Sequence, residues 1–134
     1  MRSAEHAAIG AVVGAVATAL LARGRSLPTK LALWTYGLVL SVFIDLDHFL
    51  IARLKTGGWS YFTRAASDPV WAFTEQEQVF PDVDMMVERL VSHVLIGGTL
   101  YRLFRPVSRL LSVFSAIVVS AHVLADVLRE LRIA

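Results

Sequence analysis

Four imidazoles and three carboxylates set what this chain can do chemically. Asp45-Leu46-Asp47-His48 sits near the end of a long apolar run, His122 stands four residues ahead of Asp126, and the remaining histidines are His6 and His93. Imidazole and carboxylate donors suit zinc, manganese or iron, and carboxylates also admit magnesium. The chain has no cysteine, so thiolate metal sites and disulfides are excluded. Ionisable groups at membrane depth are costly and are usually kept for function. A bound cation neutralises such carboxylates.

The elements that position these groups read as membrane helices. The chain has 134 residues, 56% hydrophobic and only 18% charged, with a mean hydropathy of +0.61. A soluble domain carries about a quarter charged residues. The length suggests a single domain, 1–134. The apolar residues fall in four blocks, Ala7 to Ala22, Leu31 to Ala52, Val91 to Leu103 and Leu110 to Val127. A span needs roughly 20 apolar residues. The second and fourth blocks meet this outright, the first with Ser3 to Ala8 added, and the third only when extended upstream. Glu5 and His6 replace a basic n-region, and no A-x-A-like site leads into a soluble domain, so the first block is expected to be a retained helix. The expected fold is all-α: an integral-membrane bundle of four helices, with the lipid bilayer as its partner. A formal charge of +2 gives no reason to expect a nucleic-acid partner.

Each predicted helix carries its polar groups on one face. In the first, from about Ser3 to Ala22, His6, Gly10 and Gly14 recur at i, i+4, i+8, and the G-x-x-x-G pair allows close helix approach. In the second, from about Leu31 to Arg53, Gly37, Ser41, Asp45 and His48 share a face. Asp47 lies about 160° from Asp45 on an ideal helix, so either the helix loosens there or Asp47 plays a different part. The third is expected to open at Pro81-Asp82-Val83-Asp84 and run to Phe104, with Arg89, His93 and Gly97 on one face and its first two turns clear of the bilayer. The fourth, from about Val107 to Leu131, aligns Ser108, Ser112, Ser115, His122 and Asp126. Between the second and third, Lys55 to Asp82 holds Trp59, Tyr61, Phe62, Trp71, Phe73 and Phe80, a composition suited to an interfacial connector. Asp68-Pro69 predicts a short helix within it.

Taken singly, these groups have ordinary readings: His6 as a headgroup-level histidine, His122 bonded to its own i+4 carboxylate. Alternating spans, however, place the start of the first helix, the end of the second, the start of the third and the end of the fourth on one side of the membrane. His6, Asp45, Asp47, His48, His93, His122 and Asp126 all fall there. The set exceeds the three protein ligands of a typical catalytic zinc. One or two divalent ions are therefore expected, zinc first, with manganese or magnesium as alternatives.

These elements resemble the YdjM-like membrane-bound metal-dependent hydrolases. That family has an N-terminal histidine followed by small residues, then P-D-x-D-H, H-R-G-x-T-H-S and H-x-x-x-D. The corresponding stretches here are His6 to Gly10, Ile44-Asp45-Leu46-Asp47-His48, Glu88-Arg89-Leu90-Val91-Ser92-His93-Val94 and His122-Val123-Leu124-Ala125-Asp126. The resemblance covers nearly the whole chain, in order. It implies metal roles for His6, Asp45, Asp47, His48, His93, His122 and Asp126. Ile44 departs from the family proline, Glu88 from the first histidine of the third motif, and Leu90 from its glycine.

The expected function is hydrolysis of a phosphoester or other small-molecule or lipid-like substrate at a prokaryotic inner or plasma membrane. Glu88 or Asp47 would serve as general base and Arg89 would clamp an anionic group. The alternative is a non-enzymatic or degenerate membrane protein that binds metal or handles ions.

Orientation follows from charge. The turns Arg23 to Lys30 and Arg102 to Arg109 are basic and hold six of the thirteen Lys and Arg residues. The other side carries Arg2, Arg53, Lys55, Arg64, Arg89, Arg129 and Arg132, of which Arg64 lies inside the connector and Arg89 belongs to the proposed site. Short basic loops favour the cytoplasm, which places both termini and the metal residues outside it. A periplasm-dependent reporter fused to the C-terminus is expected to be active, and activity from a cytoplasm-dependent reporter alone reverses the orientation.

Overall fold

The computed structural model describes residues 3–133, without the side chains of Ser3, Glu77, Arg132 and Ile133. Arg2 and the Arg132 side chain, counted above for orientation, lie outside the described residues. The described chain is all helical. α1 (Ser3–Leu21) is rich in Ala and Val, and Glu5 lies in its first turn, where acids favour the helix dipole. α2 (Leu27–Phe43) starts after Ser26, with Pro28 in its first turn. A 3₁₀ turn (Ile44–Leu46) follows and leads into α3 (Asp47–Thr56). α3 ends at Gly57, whose φ of 78° is left-handed and lets its N–H bond back to the Arg53 carbonyl at 2.8 Å.

The predicted second helix is therefore not continuous. It loosens where Asp45 and Asp47 had to be reconciled. A 3₁₀ turn advances about 120° per residue and narrows the angle between them. Asp45 then faces α1 and α7, while Asp47 reaches α6.

The connector folds into α4 (Ser60–Ser67), α5 (Pro69–Thr74) and a 3₁₀ turn (Gln76–Gln78). The expected short helix at Asp68-Pro69 is α5, and the Asp68 carboxylate accepts the Trp71 N–H at 2.9 Å. The expected helix start at Pro81 to Asp84 is corrected. Pro81 and Asp82 form a turn, Val83 to Met85 are irregular, and α6 (Met86–Phe104) begins after them, its first N–H reaching the Asp84 carboxylate at 3.3 Å. α7 (Arg109–Ile133) begins two residues later than expected, because Ser108 Oγ accepts the Leu111 N–H at 3.2 Å and caps the helix.

α1 packs against α2 and α7, α2 against α7, and α6 against α7, while α3 touches α6. At one end of this assembly Ala17, Ala22, Leu33, Phe114 and Val118 form an apolar core. The other end holds the histidines. Two helices are long and apolar enough to cross a membrane, over Ala4–Leu21 and Arg109–Leu131. α2 is cut to 17 residues by the 3₁₀ turn, and α6 carries Glu88, Arg89 and Arg102, which is why neither reads as plainly.

Small residues set the helix spacing. A Cβ on Gly10 would lie 2.5 Å from Ser41 Cβ, and one on Gly97 2.8 Å from Val119 Cγ1. Nothing lies within 4 Å of such an atom on Gly98. Gly10→Ala is therefore expected to destabilise the protein by about 1–3 kcal/mol through overpacking, while Gly98→Ala leaves stability unchanged or raised. Thermal unfolding in detergent checks the pair, and equal midpoints would contradict the close approach of α1 to α2.

Candidate metal centre

The structure brings together seven residues from four helices and the 3₁₀ turn. His6 is on α1, Asp45 on the 3₁₀ turn, Asp47 and His48 on α3, His93 on α6, and His122 and Asp126 on α7. All are buried except Asp47, whose side chain is 13% exposed. Two sets of donor atoms each converge within 4.8 Å: His6, Asp45, His122 and Asp126 in one, Asp45, His48 and His93 in the other. Asp45 is common to both. Its Oδ1 lies 3.3 Å from His48 Nε2, 3.5 Å from His93 Nε2 and 3.3 Å from His122 Nε2, and its Oδ2 is 3.4 Å from His6 Nε2. Asp126 completes the first set, with Oδ1 3.5 Å from His6 Nε2 and Oδ2 3.4 Å from His122 Nε2. Asp47 joins the second, with Oδ1 3.3 Å from His93 Nε2 and 3.6 Å from His48 Nε2.

These separations carry chemical information. Charge-assisted N–H···O bonds are about 2.7–2.9 Å long, and the contacts here are longer. His48 Nε2, His122 Nε2 and Asp45 Oδ1 have no hydrogen-bond partner among the described residues. Ligand atoms held about 2.0–2.1 Å from one tetrahedral cation stand about 3.4 Å apart. The observed spacings match a shared cation better than direct pairing.

Supporting contacts orient the donors. His122 Nδ1 lies 3.0 Å from the Ser41 carbonyl. A carbonyl only accepts, so Nδ1 carries the proton and Nε2 is turned toward the two carboxylates. This is the usual outer contact of a metal-binding imidazole. Ser41 Oγ in turn donates to the His6 carbonyl at 2.9 Å. The His6 and His122 rings stack at 3.9 Å. Ser92 Oγ contacts Asp47 Oδ2, and Gln76 Nε2 from the connector donates to Asp45 Oδ2 at 3.3 Å.

The other two site candidates lie outside the cluster. Glu88 is exposed on the first turn of α6 and pairs with Lys55 at 2.5 Å. Arg89 pairs with Glu130 at 3.1 Å and lines a cavity of about 320 Å³ that also touches His48 and Gln76. Gln76, Glu130 and the Ser41 carbonyl are contributions that sequence reasoning missed. Ser41 is on the polar face, but its side chain gives no hint that its backbone oxygen matters. Gln76 and Glu130 are placed by tertiary packing alone.

Asp45→Asn keeps the shape of the shared group and removes its charge. Divalent-metal affinity is expected to fall by more than the roughly 10–100-fold that follows loss of a supporting contact, while Glu88→Gln leaves it unchanged. Elemental analysis of the purified variants reads both, and full metal content in Asp45→Asn would make Asp45 a structural residue.

Comparison with protein-family models, with curated proteins and with solved structures returns no match.

Proposed function

We propose that this chain is a multi-pass membrane protein whose four long helices hold a divalent-metal hydrolase centre acting on phosphoesters. The observation that carries the reading is the spacing of six buried imidazole and carboxylate donors in two sets that share Asp45, with Asp47 beside the second. The motif resemblance to YdjM-like hydrolases points the same way.

The bilayer is supported by what the helices leave uncovered. Only 28% of the apolar window of α1 and 39% of that of α7 is buried. Val12, Val16 and Leu20 on α1, Val91 and Leu95 on α6, and Leu124 and Leu128 on α7 are all exposed. A soluble monomer rarely shows contiguous apolar patches larger than a few hundred Å². At 1.5 Å per residue α2 and α6 extend about 26–28 Å, close to the roughly 30 Å hydrocarbon layer.

His6, Asp45, His122 and Asp126 would hold one ion, and Asp45, Asp47, His48 and His93 a second. A divalent cation supplies Lewis-acid charge and an activated water when bound. The residues around it do the rest. Arg89 lies along the cavity at His48, where its guanidinium offers donors to an anionic phosphoester. Ser92 and Gln76 hold Asp47 and Asp45 in orientation. Asp47 is the most exposed carboxylate of the cluster, so it is the best placed to take a proton.

Ion conduction fits less well. Ser112 Oγ donates to the Tyr101 carbonyl at 2.8 Å, and Ser115 Oγ contacts Tyr36 Oη at 2.8 Å. Beside them Phe114 and Val118 are buried in the apolar core.

Purified protein is expected to carry about one or two divalent ions per chain and to hydrolyse model phosphoesters in a metal-dependent way. Elemental analysis followed by phosphatase and lipase substrate screens checks this. Metal without turnover favours a binding protein, and absence of metal after gentle purification overturns the reading.

A further inference from the structure

Two cavities meet at the mouth of the cluster. The charged one is lined by Arg89, His48, Asp84 and Glu130, and Arg89 faces Glu130 at 3.1 Å. The other, about 340 Å³, lies between the α2–α3 junction and the connector. Phe43, Leu46 and Phe49 wall it on one side, Ala66, Ala72 and Phe73 on the other. Its lining is apolar except for Asp45 and Gln76, which also belong to the metal cluster or touch it. Gln76 and Phe80 line both cavities. Phe43, Leu46 and Phe73 are exposed, so the rim of the cleft is hydrocarbon.

Resting on the hydrolase reading above, we propose that the cleft is the tail site for a single-chain lipid phosphate, with its phosphate beside Arg89 and its hydrocarbon chain beneath the connector. Charge and apolarity both select this ligand. The guanidinium and the candidate cations are complementary to a phosphate. Among the described residues, the adjoining cleft is lined by no charged side chain except Asp45 at the candidate metal cluster. At the roughly 30 Å³ that a small group such as water occupies, the cleft's 340 Å³ corresponds to about eleven methylene-sized units, room for one medium chain. The ester bond then lies near Gln76, where the cavities join. Gln76 is a positioning residue, since it donates to Asp45 while bordering both spaces.

Chain length gives the test. Each buried methylene is worth about fourfold in affinity. Binding of dodecyl phosphate and butyl phosphate is measured on the full-length protein in a neutral maltoside detergent, with micelle partitioning subtracted. Dodecyl phosphate is expected to bind at least about tenfold more tightly than butyl phosphate. Ala72→Trp fills the cleft and is expected to bring the two within about threefold of each other. Ala66→Phe, at an exposed wall position, is expected to do the same should the first variant fail to fold, with metal content reporting integrity. Arg89→Gln is expected to weaken both ligands by the same factor. An unchanged chain-length ratio in the folded cleft variant overturns the proposal, and so does a diacyl phosphatidic acid that competes better than its monoacyl form. Metal binding without chain-length discrimination removes the tail site and leaves the hydrolase reading intact. Chain-length discrimination in protein that never binds metal does the reverse.

Discussion

Two buried carboxylates and a third, nearly buried one at one end of an apolar helix assembly are the constraint on which the rest of the structure turns. Removing ionised carboxylates from water costs several kcal/mol each, even after relaxation. The fold surrounds Asp45, Asp47 and Asp126 with four imidazoles and puts Asp45 at the centre, with an imidazole nitrogen from each of the four helices within 3.5 Å. Neutral imidazoles alone do not balance that charge. Either the rings are protonated or a cation lies among them, and the two states predict different distances. Protonated rings draw in toward the carboxylates, whereas shared coordination holds donors apart. The N···O separations among the grouped donors are 3.3–3.6 Å, a spacing that could hold a metal ion.

That arrangement demands close helices, and the chain supplies them with small residues. Gly10 lets α1 meet Ser41 on α2, and the same Ser41 holds His6 through its hydroxyl and His122 through its carbonyl. Helix approach and ligand orientation are thus one contact. A methyl group at position 10 would disturb both, although Gly10 has no donor atom of its own. Gly97 plays the corresponding part between α6 and α7, one turn beyond His93.

Much of this was legible in the sequence. Polar and small residues recurring every three or four positions marked the inward face of each long helix, and alternation of spans placed their histidines at one end. The break at Ile44–Leu46 was visible only as a contradiction, because an ideal helix sends Asp45 and Asp47 to nearly opposite sides. Nothing in the residue pattern says how a chain resolves such a conflict, since the 3₁₀ turn is selected by what both carboxylates gain from tertiary partners. The start of α6 was misread for a related reason. Pro81-Asp82-Val83-Asp84 carries helix-start signals, but Asp84 is the residue that receives the first helical N–H, so the signal lay two residues ahead of the helix. α4 was not foreseen as a helix. Gln76 and Glu130 escaped notice because they lie far along the chain from the groups they touch.

The connector shows why the site is placed at an end of the helices instead of midway along them. A centre halfway across the bilayer would be shielded, yet a polar substrate would have to cross hydrocarbon to reach it. At the end of the helices, the connector can cover the candidate metal residues while leaving a cleft beside them. Val79 and Phe80 do the covering: Val79 is buried and the Phe80 ring meets His48 edge-on at 6.2 Å. Phe62 and Phe49 pack at 5.6 Å and tie the connector to α3. Arg53 and Arg64 lie over Trp59 and Trp71 at 4.7 and 4.5 Å, which keeps both cations and both indoles at the surface of the segment, where a headgroup layer accommodates them. The aromatic residues that looked like interfacial anchors in the sequence thus act in two ways. Trp59 is exposed beside Arg53, whereas Phe80 is half-buried against His48 and Phe49, and Phe62 and Phe73 stay exposed along the cleft.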